Sequence, residues 1–132
     1  MLYSRIMSLV KVKKGLAGLG LFATKDLTRN DFIVEYTGEK ISPEEADRRG
    51  GRYLFIVDKT CVIDGKSRSN IARYINHACK PNAYAEADIE EKRVRFYAKR
   101  KIAAGEEITC HYGKQYFDEL LGEDCRCAHC QK

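Results

Sequence analysis

A chain of 132 residues, 44% of them hydrophobic, has the size and composition of one small globular domain, which excludes a disordered or fibrous protein. Its net charge of +5 comes from residues 1–30, where six lysines and arginines accompany a single aspartate. No apolar run is long enough to span a membrane and the first residues lack the pattern of a secretory signal, so we expect a cytoplasmic chain unless a partner carries it elsewhere.

Short strands dominate the predicted secondary structure. Apolar and basic residues alternate between Ile6 and Val12, which predicts a first strand, because successive side chains of a strand point to opposite faces. Similar runs predict further strands at Phe32–Tyr36, Tyr53–Val57, Val94–Ala98 and Glu107–Tyr112. Glycines separate these runs, as the turns of a β-rich fold require.

Three short helices are predicted between and after the strands. Ser42 is suited to cap a helix over Pro43–Arg49, whose proline stands in the first turn. Further helices are predicted at Ser69–Asn76 and Tyr116–Leu121. The sequence therefore predicts a mainly β domain with short helices, followed from about Glu123 by a cysteine-bearing tail.

The six cysteines favour a metal site over a disulfide framework. Cys125, Cys127 and Cys130 are so close in sequence that a disulfide between adjacent members would be strained. Their spacing supplies three thiolates, and structural zinc takes four ligands in a tetrahedron. His129 is a poorer ligand candidate, because its neighbours on both sides make simultaneous ligation awkward. The alternative is that these cysteines bind no metal.

Three segments carry the most specific pattern in the chain. Gly18–Ala23 reads GLGLFA, which alone is more often a turn than a ligand loop. Arg73–Ala83 reads RYINHACKPNA, and Gly105–Gly113 reads GEEITCHYG. In this order they resemble the SET-domain family of protein methyltransferases, which has an Asn-His-Ser-Cys-x-Pro-Asn signature followed by a segment with the catalytic tyrosine.

The resemblance implies the SET-domain fold, in which small β-sheets surround a C-terminal pseudoknot and cofactor and substrate enter from opposite faces. It implies a SET domain over residues 6–113 and a post-SET zinc-binding tail over residues 114–132. The cofactor is then S-adenosylmethionine. The residues matched to its binding are Ala17, Gly18, Leu19, Tyr53, Arg73, Asn76, His77 and Tyr112. Taken alone, Asn76 and His77 would indicate a hydrogen-bonded pair that stabilises a loop.

Methyl transfer from a sulfonium to a lysine amine is an in-line displacement that needs a neutral, well-aimed amine. A lysine of pKa about 10.4 is roughly a thousandth neutral near pH 7, so the site must favour deprotonation. An apolar channel and the nearby sulfonium charge both do so. By resemblance, Tyr112 is the catalytic tyrosine and Tyr53 the second tyrosine of the lysine channel, and their hydroxyls orient the amine and the departing methyl.

The resemblance also supplies a fourth metal ligand. Cys79 matches the signature cysteine that completes the post-SET zinc site of the family, so Cys79, Cys125, Cys127 and Cys130 are the predicted ligands of a structural Zn²⁺. Zinc would then hold the tail over the active site. Cys61 and Cys110 remain as ordinary buried thiols.

The chain departs from the family pattern in several places. The tail spacing is two residues shorter than usual, Ala78 replaces serine, and Cys110-His111 replaces an aromatic residue and aspartate. Cys110 matches a position that helps set how many methyl groups are added. The insert between Glu39 and Tyr53, one wall of the peptide groove, is very short, so substrate choice is expected to involve dimerisation or a partner.

We therefore expect a protein-lysine methyltransferase, monomeric or homodimeric, that acts on a histone tail or another basic protein and does not bind membranes. The compartment is the cytoplasm in a prokaryote, and nucleus or chromatin in a eukaryote, a virus or an infected host. Two alternatives are a non-catalytic SET module that binds peptide or nucleic acid, and a small zinc-tail nucleic-acid binder. The basic segment suits nucleic-acid contact, but it equally suits a solvated edge.

Overall fold

The computed structural model describes residues 9–15 and 18–111. Within them, ten strands, one α-helix and one 3₁₀ helix follow one another along the chain. They are β1 (Val10–Gly15), β2 (Gly18–Ala23), β3 (Phe32–Tyr36), β4 (Glu39–Ile41), α1 (Pro43–Arg49), β5 (Leu54–Asp58), β6 (Cys61–Asp64), the 3₁₀ helix (Ile71–Tyr74), β7 (Asn76–His77), β8 (Ala83–Asp88), β9 (Arg93–Ala98) and β10 (Glu107–Cys110).

The strands form three small sheets around a shared core. The first has the order β1-β2-β10-β7, the second β3-β9-β8 and the third β4-β6-β5. The pairs are antiparallel except β10 and β7, which run parallel with Thr109 opposite Asn76 and Cys110 opposite His77. The core is apolar and includes the fully buried side chains Leu21, Ile33, Ile63, Ile102 and Ile108. The mainly β fold class predicted from the sequence is confirmed.

Most predicted elements lie where the sequence placed them. The strand Phe32–Tyr36 and the helix Pro43–Arg49 have the predicted bounds, and the Ser42 hydroxyl accepts the expected capping bond from the Glu45 N–H. The other predicted strands match β5, β9 and β10 to within one residue over the described part of the chain, and β1 begins at Val10. The helix at Tyr116–Leu121 lies outside the described residues.

The helix predicted at Ser69–Asn76 was wrong. Only one 3₁₀ turn forms, over Ile71–Tyr74. Asn70 does not cap it, because its side-chain oxygen accepts from the Thr37 N–H and its nitrogen donates to the Gly65 carbonyl. Asn76 is extended in β7, where pairing with β10 satisfies its backbone.

One buried side chain, that of Asn82, adds hydrogen bonds to the pairing of β10 with β2 and β7. The Asn82 side-chain oxygen accepts from the Thr109 N–H at 2.8 Å, and its nitrogen donates to the Glu107 carbonyl at 2.8 Å. Asn82 is 2% exposed, and both bonds are partly buried. The Pro81-Asn82 part of the signature thus holds together two segments that are distant in sequence.

We expect Asn82→Ala to lower the free energy of unfolding by about 2–4 kcal/mol, because it leaves a buried N–H and a buried carbonyl of β10 without partners. Urea unfolding followed by circular dichroism measures the loss. Thr109→Ser is the matched control, since it keeps both the Thr109 N–H that bonds to Asn82 and the hydroxyl that accepts from the Asn82 N–H, and should cost under about 1 kcal/mol. Equal losses in the two variants would contradict this role for Asn82.

Candidate active site

The predicted cofactor segments Gly18–Leu19 and Asn76–His77 meet in the first sheet. Strand β10 lies between β2 and β7 and so brings these two segments to one region. The Asn76 side-chain nitrogen donates to the Leu19 carbonyl at 3.0 Å and to Glu107 Oε2 at 2.8 Å. The side chain of Leu19 is 54% exposed. The structure therefore unites these residues, whereas Ala17 lies outside the described residues.

The two glycines of the GLGLFA segment are needed for different reasons. Gly18 has a φ of +95°, a conformation that side chains with a Cβ rarely adopt. At Gly20 a Cβ would lie 2.5 Å from Glu107 Oε2, so the glycine leaves room for that carboxylate. Gly18 thus permits the positive φ at the start of β2, and Gly20 leaves space for the Glu107 carboxylate.

His77 is buried beside a second histidine and a cysteine. Its ring centroid lies 4.7 Å from that of His111 in an edge-to-face arrangement, and its Nε2 lies 3.6 Å from Cys79 Sγ. Burial, with a smaller contribution from the charge of His111, lowers the pKa of His77 and favours its neutral form. A neutral imidazole can accept as well as donate a hydrogen bond.

Tyr53 and Arg73 form a stacked pair. The Arg73 guanidinium lies 4.2 Å from the centre of the Tyr53 ring and 5.3 Å from that of Tyr74. The Tyr53 carbonyl accepts from the Tyr36 hydroxyl at 2.6 Å and from the Gly65 N–H at 2.8 Å, which fixes the start of β5. The structure therefore joins these two predicted site residues through their side chains.

The Arg73 guanidinium is only partly hydrogen-bonded among the described residues. The guanidinium donates to the Lys66 carbonyl, but its buried Nε has no hydrogen-bond partner among the described residues. A buried donor of this kind is costly unless something else accepts from it. Arg73 therefore retains the capacity to bind an acceptor that is not part of residues 9–15 and 18–111.

Cys110 is buried at the C-terminal end of β10, two residues before Tyr112. Burial raises the pKa of its thiol to about 12, so it stays protonated and behaves as a small apolar side chain. Tyr84, which follows the Pro81-Asn82 turn, does not fill the space beside Cys110: its ring stacks on Tyr97 and its hydroxyl donates to Asn30 at 3.0 Å.

The short insert before Tyr53 is braced by ion pairs. Arg49, at the end of α1, contacts Glu45 at 2.7 Å, Glu39 at 3.0 Å and the buried Asp64 at 2.9 Å. This network attaches the helix to strands β4 and β6. A two-turn helix is thereby held against its sheet without a longer insert.

The described part of the basic N-terminal segment is exposed to solvent. Lys11, Lys13 and Lys14 project from β1, an edge strand, and no ion pair joins them to an acidic residue within residues 9–15 and 18–111. Lysines on an edge also prevent edge-to-edge aggregation, so this strand fits either a solvated edge or an anionic partner.

Several predicted site residues lie outside the residues that the structure describes. Tyr112 and the three tail cysteines, Cys125, Cys127 and Cys130, are among them. Of the predicted zinc ligands only Cys79 is described, and the described residues contain no cluster of three metal-binding side chains. In the same part of the chain, no helix has the length and apolarity of a membrane span.

Comparison of the sequence with models of known protein families identifies the family of this chain. The sequence model described as "SET domain" matches residues 18–113, from the first glycine of β2 to the residue after Tyr112. The chain belongs to the SET-domain family. The match therefore includes all three segments that carry the resemblance.

The SET domain here is similar to parts of much longer proteins. The histone-lysine N-methyltransferase trithorax of Drosophila melanogaster is 37% identical over 125 residues, covering 87% of this chain and 3% of that protein. The H3 lysine-4 specific histone-lysine N-methyltransferase of Schizosaccharomyces pombe is 42% identical over 105 residues, covering 71% of this chain and 11% of that protein. The chain thus spans only a small part of these relatives.

A solved structure shares the fold of this SET domain. A chain of apo ctPRC2 with substitutions in Ezh2 matches with a TM-score of 0.68 and 36% identity, covering 79% of this chain and 15% of that chain. The expected SET-domain fold is therefore confirmed.

Sequence reasoning missed two residues of the SET domain. Glu107 contacts Asn76 from β10, and Arg49 braces the insert. The charged residues of α1 indicate an exposed helix face. They do not indicate that Arg49 contacts the buried Asp64. Nothing in the GEEITC string distinguishes Glu107, whose importance follows from its position opposite Phe22 and next to Gly20.

Proposed function

We propose that this SET domain is a protein-lysine N-methyltransferase that takes its methyl group from S-adenosylmethionine. The observation that carries the proposal is the meeting of Leu19, Asn76 and His77 in one sheet, at residues whose sequence matches the family signature. A non-catalytic SET module would share this sheet but would not need Tyr53 and Tyr112 together with the Asn76-His77 pair. A zinc-tail nucleic-acid binder leaves these central motifs unexplained.

The described residues fit such a cofactor by their chemistry. S-adenosylmethionine supplies an electrophilic methyl group together with an adenosine, an amine and a carboxylate. Gly18 and Leu19 are exposed, Asn76 and His77 offer amide and imidazole groups, and the buried Nε of Arg73 has no hydrogen-bond partner among the described residues. These groups match the ligand's polar ends, and the proposal assigns cofactor binding to them and to Ala17.

The proposed lysine channel rests on two tyrosines. Tyr53 directly precedes β5 with its ring against the Arg73 guanidinium, and the proposal gives its hydroxyl and that of Tyr112 the task of orienting the amine. A hydroxyl that accepts from the amine N–H aims the nitrogen lone pair without taking part in covalent chemistry. Apolar walls favour the neutral amine, because they penalise the ammonium charge.

The proposal includes one structural zinc held by Cys79, Cys125, Cys127 and Cys130. Four thiolates are a donor set that structural zinc prefers, and Cys79 lies two residues from His77, so its ligation would tie the tail to the cofactor-binding segment. The metal would contribute folding energy to the tail and no chemistry to the transfer.

The proposed substrate is a lysine of a histone or another basic protein. The relatives that share the domain are named as histone-lysine methyltransferases, which supports this class. The proposed compartment follows the substrate: nucleus or chromatin if the substrate is a histone, cytoplasm if it is a prokaryotic basic protein. A monomer or a homodimer would serve this function, and nucleic-acid contact through β1 would be secondary.

Incubation with methyl-labelled S-adenosylmethionine and a cell extract tests the function. We expect label in at least one protein, and His77→Ala should remove most of it because the variant loses a group assigned to the cofactor. Calorimetric titration of the cofactor runs beside it. A wild-type chain that neither binds the cofactor nor labels any protein would refute the proposal.

The number of methyl groups added is expected to depend on Cys110. Its side chain is small and buried, so we expect di- and trimethylated lysine, because a roomier pocket lets the methylated amine turn and react again. Cys110→Tyr should shift the product towards monomethyl-lysine. Mass spectrometry of a peptide product at long times gives the distribution.

Cys110→Phe is the matched control for this prediction. It adds a ring of similar size without the hydroxyl that would hold a water, so higher methylation should persist, and thermal melting checks that both variants remain folded. A wild-type end point of one methyl group would show that Cys110 does not control the product.

A further inference from the structure

We infer that Glu107 is a positioning residue, which fixes the orientation of the Asn76 amide and, through it, the Leu19 carbonyl in the cofactor-binding segment. The inference rests on the proposed function, because it gives a task to a side chain next to the proposed cofactor site. It concerns the described residues alone: Glu107, Asn76, Leu19 and Gly20.

The geometry around Asn76 uses both hydrogens of its side-chain nitrogen. One points to the Leu19 carbonyl at 3.0 Å and the other to Glu107 Oε2 at 2.8 Å. An amide nitrogen has two hydrogens to donate, so both are committed to these acceptors. The amide oxygen consequently lies on the opposite side. If the Asn76 amide turned over, its nitrogen would lose both acceptors and its oxygen would face them instead.

Glu107 makes this orientation obligatory. A carboxylate only accepts hydrogen bonds, so it selects the nitrogen of Asn76 and repels the oxygen. The bond is charge-assisted and therefore stronger than one between neutral groups. With Leu19 as the sole acceptor, the amide would be held by one ordinary bond.

The position of Glu107 is itself set by backbone geometry. It stands opposite Phe22 in the pairing of β10 with β2, and Thr109, two residues on, stands opposite Asn76 in the pairing with β7. Its carboxylate fills the space beside Gly20, where a Cβ would be 2.5 Å away. The strand register and the space at Gly20 thus place the Glu107 carboxylate next to the Asn76 amide.

The consequence for the site is a fixed Leu19 carbonyl. Leu19 follows Gly18, whose φ is positive, at the start of β2, and the bond from Asn76 is a side-chain contact between β7 and this end of β2. If Asn76 were free to turn over, the carbonyl would lose its donor and the proposed cofactor-binding backbone would be less ordered. On this inference Glu107 influences cofactor binding through Asn76 and Leu19.

Two readouts on the full chain test this role. The first is the pair of Asn76 side-chain amide signals in nitrogen-15 NMR spectra, assigned by their loss in Asn76→Asp. The second is the calorimetric affinity for S-adenosylmethionine. In the wild type we expect both amide protons to show hydrogen-bonded shifts and slow exchange.

Glu107→Ala should free one Asn76 amide proton and weaken cofactor binding about tenfold, the factor expected if the competent Asn76 orientation falls to about a tenth of the population. Glu107→Gln keeps an acceptor in place and should retain binding within about threefold of wild type. Gly20→Ala should repeat the alanine effect with the glutamate still present, because its Cβ displaces the carboxylate. Glu90→Ala, on the exposed turn between β8 and β9, is the matched control and should change neither readout.

The outcomes separate this inference from the proposed function. Unchanged amide signals and unchanged affinity in Glu107→Ala, or equal losses in the alanine and glutamine variants, would overturn the positioning role. A lower melting temperature with unaltered cofactor affinity would make Glu107 merely structural and would also overturn it. A wild-type chain without cofactor affinity would refute the proposed function, and the amide signals would then still decide whether Glu107 holds Asn76.

Discussion

Tyr112→Phe is expected to lower the rate of methyl transfer by at least about a hundredfold, while the affinity for S-adenosylmethionine changes by no more than a few-fold. Only a hydroxyl is removed, and the proposal gives that hydroxyl the task of orienting the reacting amine and methyl group. Single-turnover rates with labelled cofactor measure the transfer, and calorimetry measures the affinity. A loss in rate without a loss in affinity indicates an interaction made mainly in the transition state.

Tyr97→Phe is the matched control for this variant. Tyr97 lies on β9, where its ring packs against Phe32 and Tyr84, on a strand face turned away from the core. Removing its hydroxyl should leave the transfer rate within about twofold of wild type. Full activity in Tyr112→Phe, or equal losses in both variants, would remove Tyr112 from the catalytic site.

Loss of zinc is expected to have the second large effect. Elemental analysis should find about one zinc per chain, and Cys127→Ser should lose it, because three thiolates bind structural zinc far more weakly than four. We expect transfer activity to fall by about tenfold or more, since metal binding supplies much of the free energy that orders so short a segment. Proteolysis after Gly122 should become faster in the variant.

Cys61→Ala is the matched control for the zinc prediction. Cys61 is buried at the start of β6 and is not among the predicted ligands, so the variant should keep its zinc and most of its activity. A fully active wild-type chain that contains no metal would refute the zinc site. Zinc retained in Cys127→Ser would show that a different ligand set binds it.

The sequence predicted the local elements well where local chemistry determines them. The helix Pro43–Arg49 has a serine cap and a proline in its first turn, and both act as expected. The strand Phe32–Tyr36 follows from a run of apolar and aromatic residues. Strands β2, β4, β6, β7 and β8 escaped the prediction, because they are short or carry glycine, alanine and charged residues that signal strands weakly.

The structure brings several of the predicted site residues together, through contacts that the sequence did not predict. The motifs selected Asn76, Leu19, Arg73 and Tyr53, and the structure joins the first two by a hydrogen bond and the last two by stacking. Glu107 and the parallel pairing of β10 with β7 could not be predicted from local sequence, because they depend on which distant segments become neighbours. The prediction of a helix through Asn76 failed for the same reason.

The most direct test of the account is to locate the transferred methyl group. A protein labelled by this chain from deuterated methyl S-adenosylmethionine would be digested and sequenced by tandem mass spectrometry, with released S-adenosylhomocysteine counted in parallel. We predict deuterated methyl groups on a lysine side-chain nitrogen, with one S-adenosylhomocysteine released for each methyl found. Label on another kind of atom, or cofactor binding without any transfer to protein, would contradict the assignment as a protein-lysine methyltransferase.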